Sequence, residues 1–303
     1  MSRTNDVKQE VRAFYDSVGW QPIGDGLYQN ARYEDLRPVS QEYLHRCHLR
    51  VLDHLPPRGR LLLDAGSGPI QYPEYLAYSH GYDHRVCVDI SHTALLAARD
   101  RIGEHGLYVV ADVAHLPLKR GSMDAMVSLH TVHHLPAEEH LAAFQGFFRV
   151  LKPGAPAVIV YSWGSQSSLM KLAQPFIAVM TWLARLYRWI ARRNTSPTAA
   201  IEQPTLDADQ LIRTAGTFTF KHNFQWMRDN LGSFPGFDIR VWRSVSTSFL
   251  RAFIFRPLLG RQFLRLLFAL EDMAPRLFGR IGQYPMLLFH AEPADSSTRE
   301  RSA

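Results

Sequence analysis

Short apolar runs alternate with helix-like segments through the middle of the chain. Five such runs occur, at residues 61–63, 85–88, 107–110, 125–129 and 157–161. Strands that alternate with helical segments are typical of a parallel sheet covered by helices on both faces. Two further strand candidates, residues 237–242 and 285–290, follow much later. The pattern therefore predicts an α/β fold with a long helical region placed before its last strands.

Helical periodicity dominates on both sides of this region. Apolar residues recur at helical spacing from Val7 to Val18, and residues 38–55 form a second predicted helix that Pro56 and Pro57 end. After Tyr161 come two longer helical blocks, residues 168–193 and 247–282. Neither contains the ~18 to 20 uncharged apolar residues that span a bilayer, so we predict no transmembrane helix.

The charge of the chain is unevenly distributed. Residues 169–290 carry 16 Lys and Arg against 7 Asp and Glu, whereas residues 1–168 carry 16 against 18. Because these basic residues alternate with Leu, Phe and Trp at helical spacing, an anionic lipid surface or an amphiphilic substrate is the expected partner, and nucleic acid is not. The alternative is that these helices wall a pocket and their arginines are solvated.

Cysteine usage and the N-terminus bear on the compartment. The 303 residues include only Cys47 and Cys87, and no apolar core with a cleavage site follows Met1. We therefore expect a cytoplasmic protein, with its basic helices available to dock peripherally on the inner face of the membrane.

The stretch "LLLDAGSGPIQYP" at residues 61–73 reads as a buried strand that enters a glycine turn. A dinucleotide site needs a third glycine where Gln71 stands, and a phosphate-binding loop needs a Gly-Lys-Ser/Thr that is absent here. What remains is a carboxylate, Asp64, immediately before Ala65, Gly66, Ser67 and Gly68. An acid at this position favours a ligand with positive charge.

S-adenosylmethionine (SAM) is such a ligand. The residues that end the next two predicted strands are also suited to bind it. Asp89, with Ile90 after it, lies 21 residues beyond Gly68, which is close to the spacing at which an acid binds ribose hydroxyls. After the third strand, Asp112 can accept from the adenine amine and Val113 can offer its backbone. Asp112 could instead cap the turn that follows it.

These residues resemble the motifs of one known family. The stretches are "LLLDAGSG", "VCVDIS", "ADVAHLPL", "SMDAMVSLHTVHHLP" and "FFRVLKPGAPAVIV". In this order they resemble class I SAM-dependent methyltransferases, and within them the type 11 group that includes the C-methyltransferases of ubiquinone and menaquinone synthesis. The sequence departs from that pattern at Pro69, Ile70 and Ala155.

The resemblance implies a fold and an organisation. It implies a Rossmann-like sheet of five parallel strands closed by a C-terminal antiparallel hairpin. We expect an N-terminal helical cap over residues 1–59 and a SAM-binding core over residues 60–164. A helical insertion over residues 165–236, closing strands with a basic helical insertion over residues 237–292, and a disordered tail over residues 293–303 complete the organisation.

Candidate acceptor-side residues follow the fourth strand. Leu129 is expected to contact SAM, and His130 is delivered beside the methyl donor, where a histidine of near-neutral pKa could remove a proton. His133 is a second catalytic candidate, although it and His134 also fit a purely structural role in the loop. Tyr15, together with the cap aromatics Trp20, Tyr28 and Tyr33, could close over SAM. We expect no metal site, because adjacent histidines without further ligands form a poor one.

These features predict methyl transfer from SAM to an oxygen or carbon of a small-molecule or lipid-like acceptor. The preference for oxygen or carbon rests on "SLHTVHH", which stands where amine-directed and nucleic-acid enzymes carry an "NPPY"-type stretch. Two alternatives stay open: a SAM-binding scaffold at a membrane that has no turnover, and an RNA methyltransferase.

Overall fold

A seven-stranded sheet forms the centre of the molecule. In the computed structural model, which describes residues 3–24, 26–194 and 217–292, a small hairpin of β1 (Pro22–Gly24) and β2 (Leu27–Tyr28) precedes this sheet. The sheet strands are β3 (Gly59–Ala65), β4 (Tyr82–Asp89), β5 (Gly106–Val110), β6 (Ala125–Leu129), β7 (Pro156–Val160), β8 (Asp238–Arg243) and β9 (Tyr284–His290). Their order across the sheet is β5-β4-β3-β6-β7-β9-β8.

The predicted fold class is confirmed. Strands β3 to β7 pair in parallel, while β9 pairs antiparallel with both β7 and β8. Leu62 and Leu63 illustrate the construction, because neighbouring residues of a strand enter different apolar clusters on opposite faces of the sheet. Burial on both faces explains why the sequence shows continuous apolar runs here and no polar alternation.

Helices cover both faces and extend beyond the sheet. They are α1 (Arg3–Phe14), α2 (Gln41–Leu49), α3 (Pro73–Leu76), α4 (His92–Ile102), α5 (His140–Val150), α6 (Ser168–Asn194), α7 (Phe224–Leu231), α8 (Thr247–Phe253), α9 (Gly260–Met273) and α10 (Pro275–Ile281). Among these described helices, none is long and apolar enough to cross a membrane. The tail expected over residues 293–303 lies outside the described residues, as do residues 195–216 of the first insertion.

The N-terminal cap and the late helical insertion pack against each other. Tyr43 and Cys47 of α2 share one apolar cluster with Leu250 of α8 and with Leu264 and Phe268 of α9. The sequence patterns treat these as separate units because they lie about two hundred residues apart in the chain. In the structure they form one layer at the end of the sheet where β8 lies.

A buried ionic network holds this layer together. Glu271 is fully buried and accepts from Arg50 Nη1 at 2.7 Å, from Tyr43 Oη at 2.7 Å and from the Ser244 backbone N–H at 2.9 Å. Arg50 also donates to the Trp242 carbonyl at 2.9 Å and, at the rim, to Asp272 at 2.8 Å. One carboxylate thus joins the cap, the end of β8 and α9.

This network predicts a strong asymmetry between two adjacent acids. We expect Glu271→Ala to lower the free energy of unfolding by about 3 to 5 kcal/mol, because it removes the buried partner of Arg50. Asp272→Ala is the matched control. Its side chain is 51% exposed, and we expect a loss below about 1 kcal/mol. Urea denaturation of the two variants measures the difference, and equal losses would contradict the assignment.

Candidate functional site

A large cavity opens where the parallel strands end. It has a volume of about 470 Å³ and lies between the carboxyl ends of β3 to β6 and the N-terminal cap. This volume is in the range of small-molecule sites, and strand ends are the usual binding edge of open α/β sheets. Residues predicted as site residues that line it are Tyr15, Asp64, Gly66, Ser67, Gly68, Asp89, Ile90, Asp112, Val113, Leu129, His130 and His133.

Ala65 is the exception among the predicted cofactor contacts. It ends β3 with its side chain fully buried in the core cluster, and it does not line the cavity. Strand alternation explains this, because a last strand residue pointing between sheet and helix cannot also face the ligand.

The glycine turn needs glycine at two positions. Gly66 and Gly68 have φ angles of 75° and 53°, in the left-handed region that favours glycine. A Cβ at Gly66 would overlap the Thr131 side chain, and one at Gly68 would lie 2.9 Å from the Trp20 ring. The turn therefore brings bare backbone to the cavity wall while neighbouring side chains pack closely around it.

Asp64 is already ion-paired. Its Oδ2 accepts from Arg85 Nε at 3.0 Å and from Arg85 Nη2 at 2.5 Å, and both side chains are buried. The expectation that Asp64 offers a free negative charge to a cationic ligand is therefore altered, because Arg85 compensates that charge. Sequence reasoning passed over Arg85 within the strand run "RVCVD", although strand alternation places it on the same face of the sheet as Asp64.

Asp89 has the properties that a ribose site requires. Its Oδ2 accepts from the Gly68 N–H at 2.9 Å and its Oδ1 from the Ser91 N–H at 2.8 Å, so each oxygen keeps a lone pair for a ligand hydroxyl. Burial raises the pKa of Asp89 to about 6. Such a carboxylate, without a cationic partner among the described residues, fits the diol of SAM.

Asp112 is engaged on both oxygens. Oδ1 caps the following turn through the Ala114 N–H at 2.9 Å, which is the alternative that the sequence left open. Oδ2 lies 2.5 Å from Lys8 Nζ, and Lys8 also contacts Glu139 at 2.6 Å. The Lys8 ammonium thus lies between the carboxylates of Asp112 and Glu139. Together with His115 these two acids bring atoms of the kind that bind metal ions within 4.8 Å of one another. An adenine amine would have to share Asp112 with Lys8, a residue that sequence reasoning missed.

The cap aromatics lie over the glycine turn. Tyr15 and Trp20 stack with ring centroids 5.0 Å apart, and Tyr28 meets Trp20 edge-on at 6.2 Å. Tyr15 Oη lies 2.9 Å from His134 Nε2, and His134 Nδ1 lies 2.9 Å from the Phe218 carbonyl. Burial lowers the pKa of His134 to about 4, so its neutral ring links the cap to the loop after β6.

His130 lies directly beyond β6 and faces the cavity. Its φ of 57° is left-handed, and its N–H donates to the Val160 carbonyl at 2.9 Å. The ring meets Trp242 at 4.9 Å and Tyr284 at 5.4 Å, and neither ring nitrogen has a hydrogen-bond partner among the described residues. Burial lowers its pKa to about 3, which replaces the expected near-neutral value. His133 is also buried, and its Nδ1 has no hydrogen-bond partner within the part of the chain that the structure describes.

The same cavity has further polar and aromatic lining residues, and apart from His130 the sequence reasoning missed them. We name this part of the lining the acceptor chamber, after the role that we propose for it, and it consists of Glu34, Gln71, Tyr72, His130, Arg243 and Tyr284. Burial opposes ionisation of Glu34, but His48 and Arg243 lower its pKa to about 2. Arg243 had been counted with the basic helical surface, yet only 2% of it is exposed.

The fold and the strand-end cavity are those of a class I SAM-dependent methyltransferase domain, whose cofactor is SAM. The family model for the methyltransferase domain, Methyltransf_11, matches residues 63–159, which is β3 to β7. The narrower resemblance to the enzymes of quinone synthesis stays a prediction.

Curated relatives match a little under half of the chain. A tRNA (carboxymethyluridine(34)-5-O)-methyltransferase, ALKBH8 of Macaca fascicularis, is 26% identical over 162 residues, covering 48% of this chain and 23% of that protein. The tRNA (carboxymethyluridine(34)-5-O)-methyltransferase of Arabidopsis thaliana is 27% identical over 146 residues, covering 42% of this chain and 34% of that protein. The chain thus spans 23% and 34% of the lengths of these relatives.

One solved structure is similar over nearly the whole chain. Phosphoethanolamine N-methyltransferase 1 of Haemonchus contortus aligns with a TM-score of 0.53 at 12% identity, covering 98% of this chain and 53% of that one. At this identity the likeness concerns the fold alone.

The geometry of Asp89 predicts how the cofactor site responds to pH. Only the ionised carboxylate accepts from both ribose hydroxyls, so affinity for S-adenosylhomocysteine should be full well above pH 6. It should fall about tenfold by pH 5. Asp89→Ala should weaken binding at pH 7.5 by about 1.5 to 3 kcal/mol, and Asp89→Asn should remove the pH dependence.

Isothermal titration calorimetry measures these affinities. Asp83→Asn, an exposed position on the same strand, is the matched control and should behave as the wild type. A folded Asp89→Ala variant with unchanged affinity would show that the ribose is bound elsewhere.

Proposed function

We propose that this protein transfers the methyl group of SAM to an oxygen or carbon of a small-molecule or lipid-like acceptor bound in the acceptor chamber. The observation that carries the proposal is the position of His130. Its neighbour Thr131 packs on Gly66 of the glycine turn, while its own ring meets Tyr284 of the chamber and, behind the cavity wall, Trp242. Cofactor end and chamber are one continuous cavity.

In this proposal the residues of the cavity assist methyl transfer mainly by aligning SAM with the acceptor and by excluding water from the site, and less by acid-base catalysis. SAM supplies an electrophilic methyl group on a sulfonium. The aromatic rings of Tyr15, Trp20 and Tyr284 enclose the space, and alignment in a dry site accounts for much of such a rate enhancement. The neutral ring of His130 can accept a hydrogen bond from an acceptor hydroxyl and so orient its lone pair.

Methyl-labelled SAM tests the proposal directly. The protein is incubated with a cell extract, which is then separated into RNA, lipid and small-molecule fractions for mass spectrometry. We expect label in the small-molecule or lipid fraction and none with Asp89→Ala. Label confined to RNA would instead support the RNA alternative, which the names of the curated relatives favour. Cofactor binding without label in any fraction would support the scaffold.

His130 is predicted to affect turnover more than cofactor affinity. We expect His130→Ala to lower kcat about 10- to 100-fold and to leave the affinity for S-adenosylhomocysteine within about twofold. Because the left-handed φ itself could be disturbed by alanine, His130→Asn serves as the control, since asparagine tolerates this conformation. An unchanged kcat in His130→Ala at saturating acceptor would remove the residue from the mechanism.

A second proposed property concerns helix α6, which we propose docks on an anionic membrane surface. Large apolar side chains along it that are 37% to 73% exposed are Leu172, Phe176, Val179, Trp182, Leu183, Leu186 and Trp189. Arg185 is exposed beside them, within the region that carries 16 basic against 7 acidic residues. Apolar bulk next to arginine is the composition of interfacial helices.

Liposome sedimentation tests this docking. The protein should sediment with anionic vesicles at low salt and less as salt rises, because each Arg near the surface contributes about 1 kcal/mol that salt screens. Replacing Arg185, Arg188, Arg192 and Arg193 by Gln should abolish sedimentation and spare cofactor binding.

The matched control removes four exposed arginines from elsewhere on the chain, Arg58, Arg60, Arg99 and Arg120, with the same change in net charge. We expect this control to sediment as the wild type does. Wild-type protein that stays in the supernatant would contradict membrane docking and would support the alternative that α6 walls a pocket.

A further inference from the structure

The acceptor chamber contains a buried guanidinium that lacks hydrogen-bond partners. Arg243 ends β8 with 2% of its surface exposed. Its Nε and Nη1 are buried and make no hydrogen bond within the described part of the chain. The nearest anion is Glu34 Oε1, 3.5 Å from Nη1, which is an ion-pair distance and a poor hydrogen bond. Leaving such donors unsatisfied in the interior costs free energy.

The surroundings hold Arg243 in place without satisfying it. Its guanidinium lies 4.6 Å from the Tyr284 ring centroid and 5.3 Å from that of Trp242. The rings contact the guanidinium through cation–π interactions, and they offer no oxygen or nitrogen acceptor to its N–H groups. Arg243 and Tyr284 both line the cavity, so the fork can be reached by a ligand.

Resting on the proposed function, we propose that Arg243 binds an anionic oxygen group of the acceptor, a carboxylate or a phosphate monoester, through two parallel N–H···O bonds from one edge of its guanidinium, formed by Nη2 with either Nε or Nη1. The planar fork matches such groups in geometry and charge. A single neutral hydroxyl could meet one donor and would leave the other unpaired.

The charges around the fork favour an anion over a cationic acceptor. Glu34 is the acid that faces the chamber, and its two oxygens are directed to His48 at 3.3 Å and to Arg243 at 3.5 Å. His48 also contacts Glu74 at 3.5 Å, and these two acids raise the pKa of His48 against the effect of burial. An ammonium group would have to displace these pairs, whereas an anion meets the unpaired donors of Arg243.

Gln71 adds a hydrogen-bond acceptor to the cavity, whereas Arg243 offers donors. Its Oε1 is buried, has no hydrogen-bond partner among the described residues, and lines the same cavity. A carbonyl oxygen can only accept, so it fits a hydroxyl or N–H of the ligand. The rings of Tyr72 and Tyr284, which also line the chamber, suit an aromatic acceptor with an anionic group, and Gln71 offers a hydrogen-bond acceptor on the wall of the same cavity.

Calorimetry on the full chain saturated with S-adenosylhomocysteine tests this inference with isosteric probes. Benzoate should bind about tenfold or more tightly than benzamide, which has the same shape and no charge. Phenyl phosphate distinguishes the two anionic groups, since tighter binding of it than of benzoate assigns a phosphate monoester. Benzoate and phenyl phosphate both binding no better than benzamide would overturn the proposal.

Variants of the two β8 arginines locate the effect. Arg243→Gln should remove the preference for benzoate, and Arg243→Lys should keep a smaller one because it retains charge without the fork. Arg240→Gln is the matched control, since Arg240 lies on the same strand, is partly exposed and pairs with Asp238, and it should bind as the wild type. Benzoate binding unchanged in a folded Arg243→Gln would also overturn the proposal.

Cofactor binding separates folding from recognition. Each variant is first titrated with S-adenosylhomocysteine, and if Arg243→Gln and Arg243→Lys lose that binding, the wild-type comparison of benzoate with benzamide decides alone. A protein that binds benzoate through Arg243 but labels no acceptor would contradict the proposed transfer and leave this inference standing.

Discussion

The contact between Glu271 and Arg50 determines where the N-terminal cap lies, and the cavity depends on that position. Glu271 belongs to α9, near the C-terminal end of the chain, and Arg50 follows α2 in the cap. Their pairing, with Tyr43 and Ser244 on the same carboxylate, fixes the cap against the end of β8. Glu34, which precedes α2, and Arg243, which ends β8, consequently face each other inside the chamber.

The same layer explains why cofactor and acceptor regions form one cavity. The first part of the cap, from Lys8 to Trp20, lies over the strand ends through Lys8–Asp112 and Tyr15–His134 contacts. Its second part, from Glu34 onward, closes the acceptor side. A cap made from the N-terminus alone would cover the glycine turn, but the chamber also needs β8 and β9 at the far edge of the sheet.

Much of the sheet and of the cofactor turn could be predicted from the sequence because both depend on local patterns. Strand periodicity, a glycine turn and acids that end successive strands are short-range features, and they placed Asp64, Asp89 and Asp112 at one edge. Their partners could not be predicted in this way. Lys8 reaches Asp112 across 104 residues, and Arg50 reaches Glu271 across 221. Such pairs follow from how layers pack, which periodicity does not encode.

The burial of two arginines, Arg85 and Arg243, was also missed by the sequence patterns. Arg85 and Arg243 are each less than 3% exposed, yet in a sequence an arginine reads as surface charge. Each is tolerated inside because something compensates it. Asp64 compensates the charge of Arg85 by accepting two hydrogen bonds from it. Among the described residues, the ion pair that compensates Arg243 is the longer contact with Glu34.

This difference between the two arginines separates structure from binding within one molecule. A guanidinium whose donors are met by its own protein stabilises the fold and has little capacity left for a ligand. A guanidinium that is buried beside Trp242 and Tyr284, and whose Nε and Nη1 find no hydrogen-bond partner among the described residues, costs stability until a ligand arrives. Because His130 beside it is neutral, the field in the chamber comes mainly from Arg243, Glu34 and His48. In our proposal the acceptor is therefore oriented by these charges, and the neutral His130 ring serves as a hydrogen-bond acceptor for it.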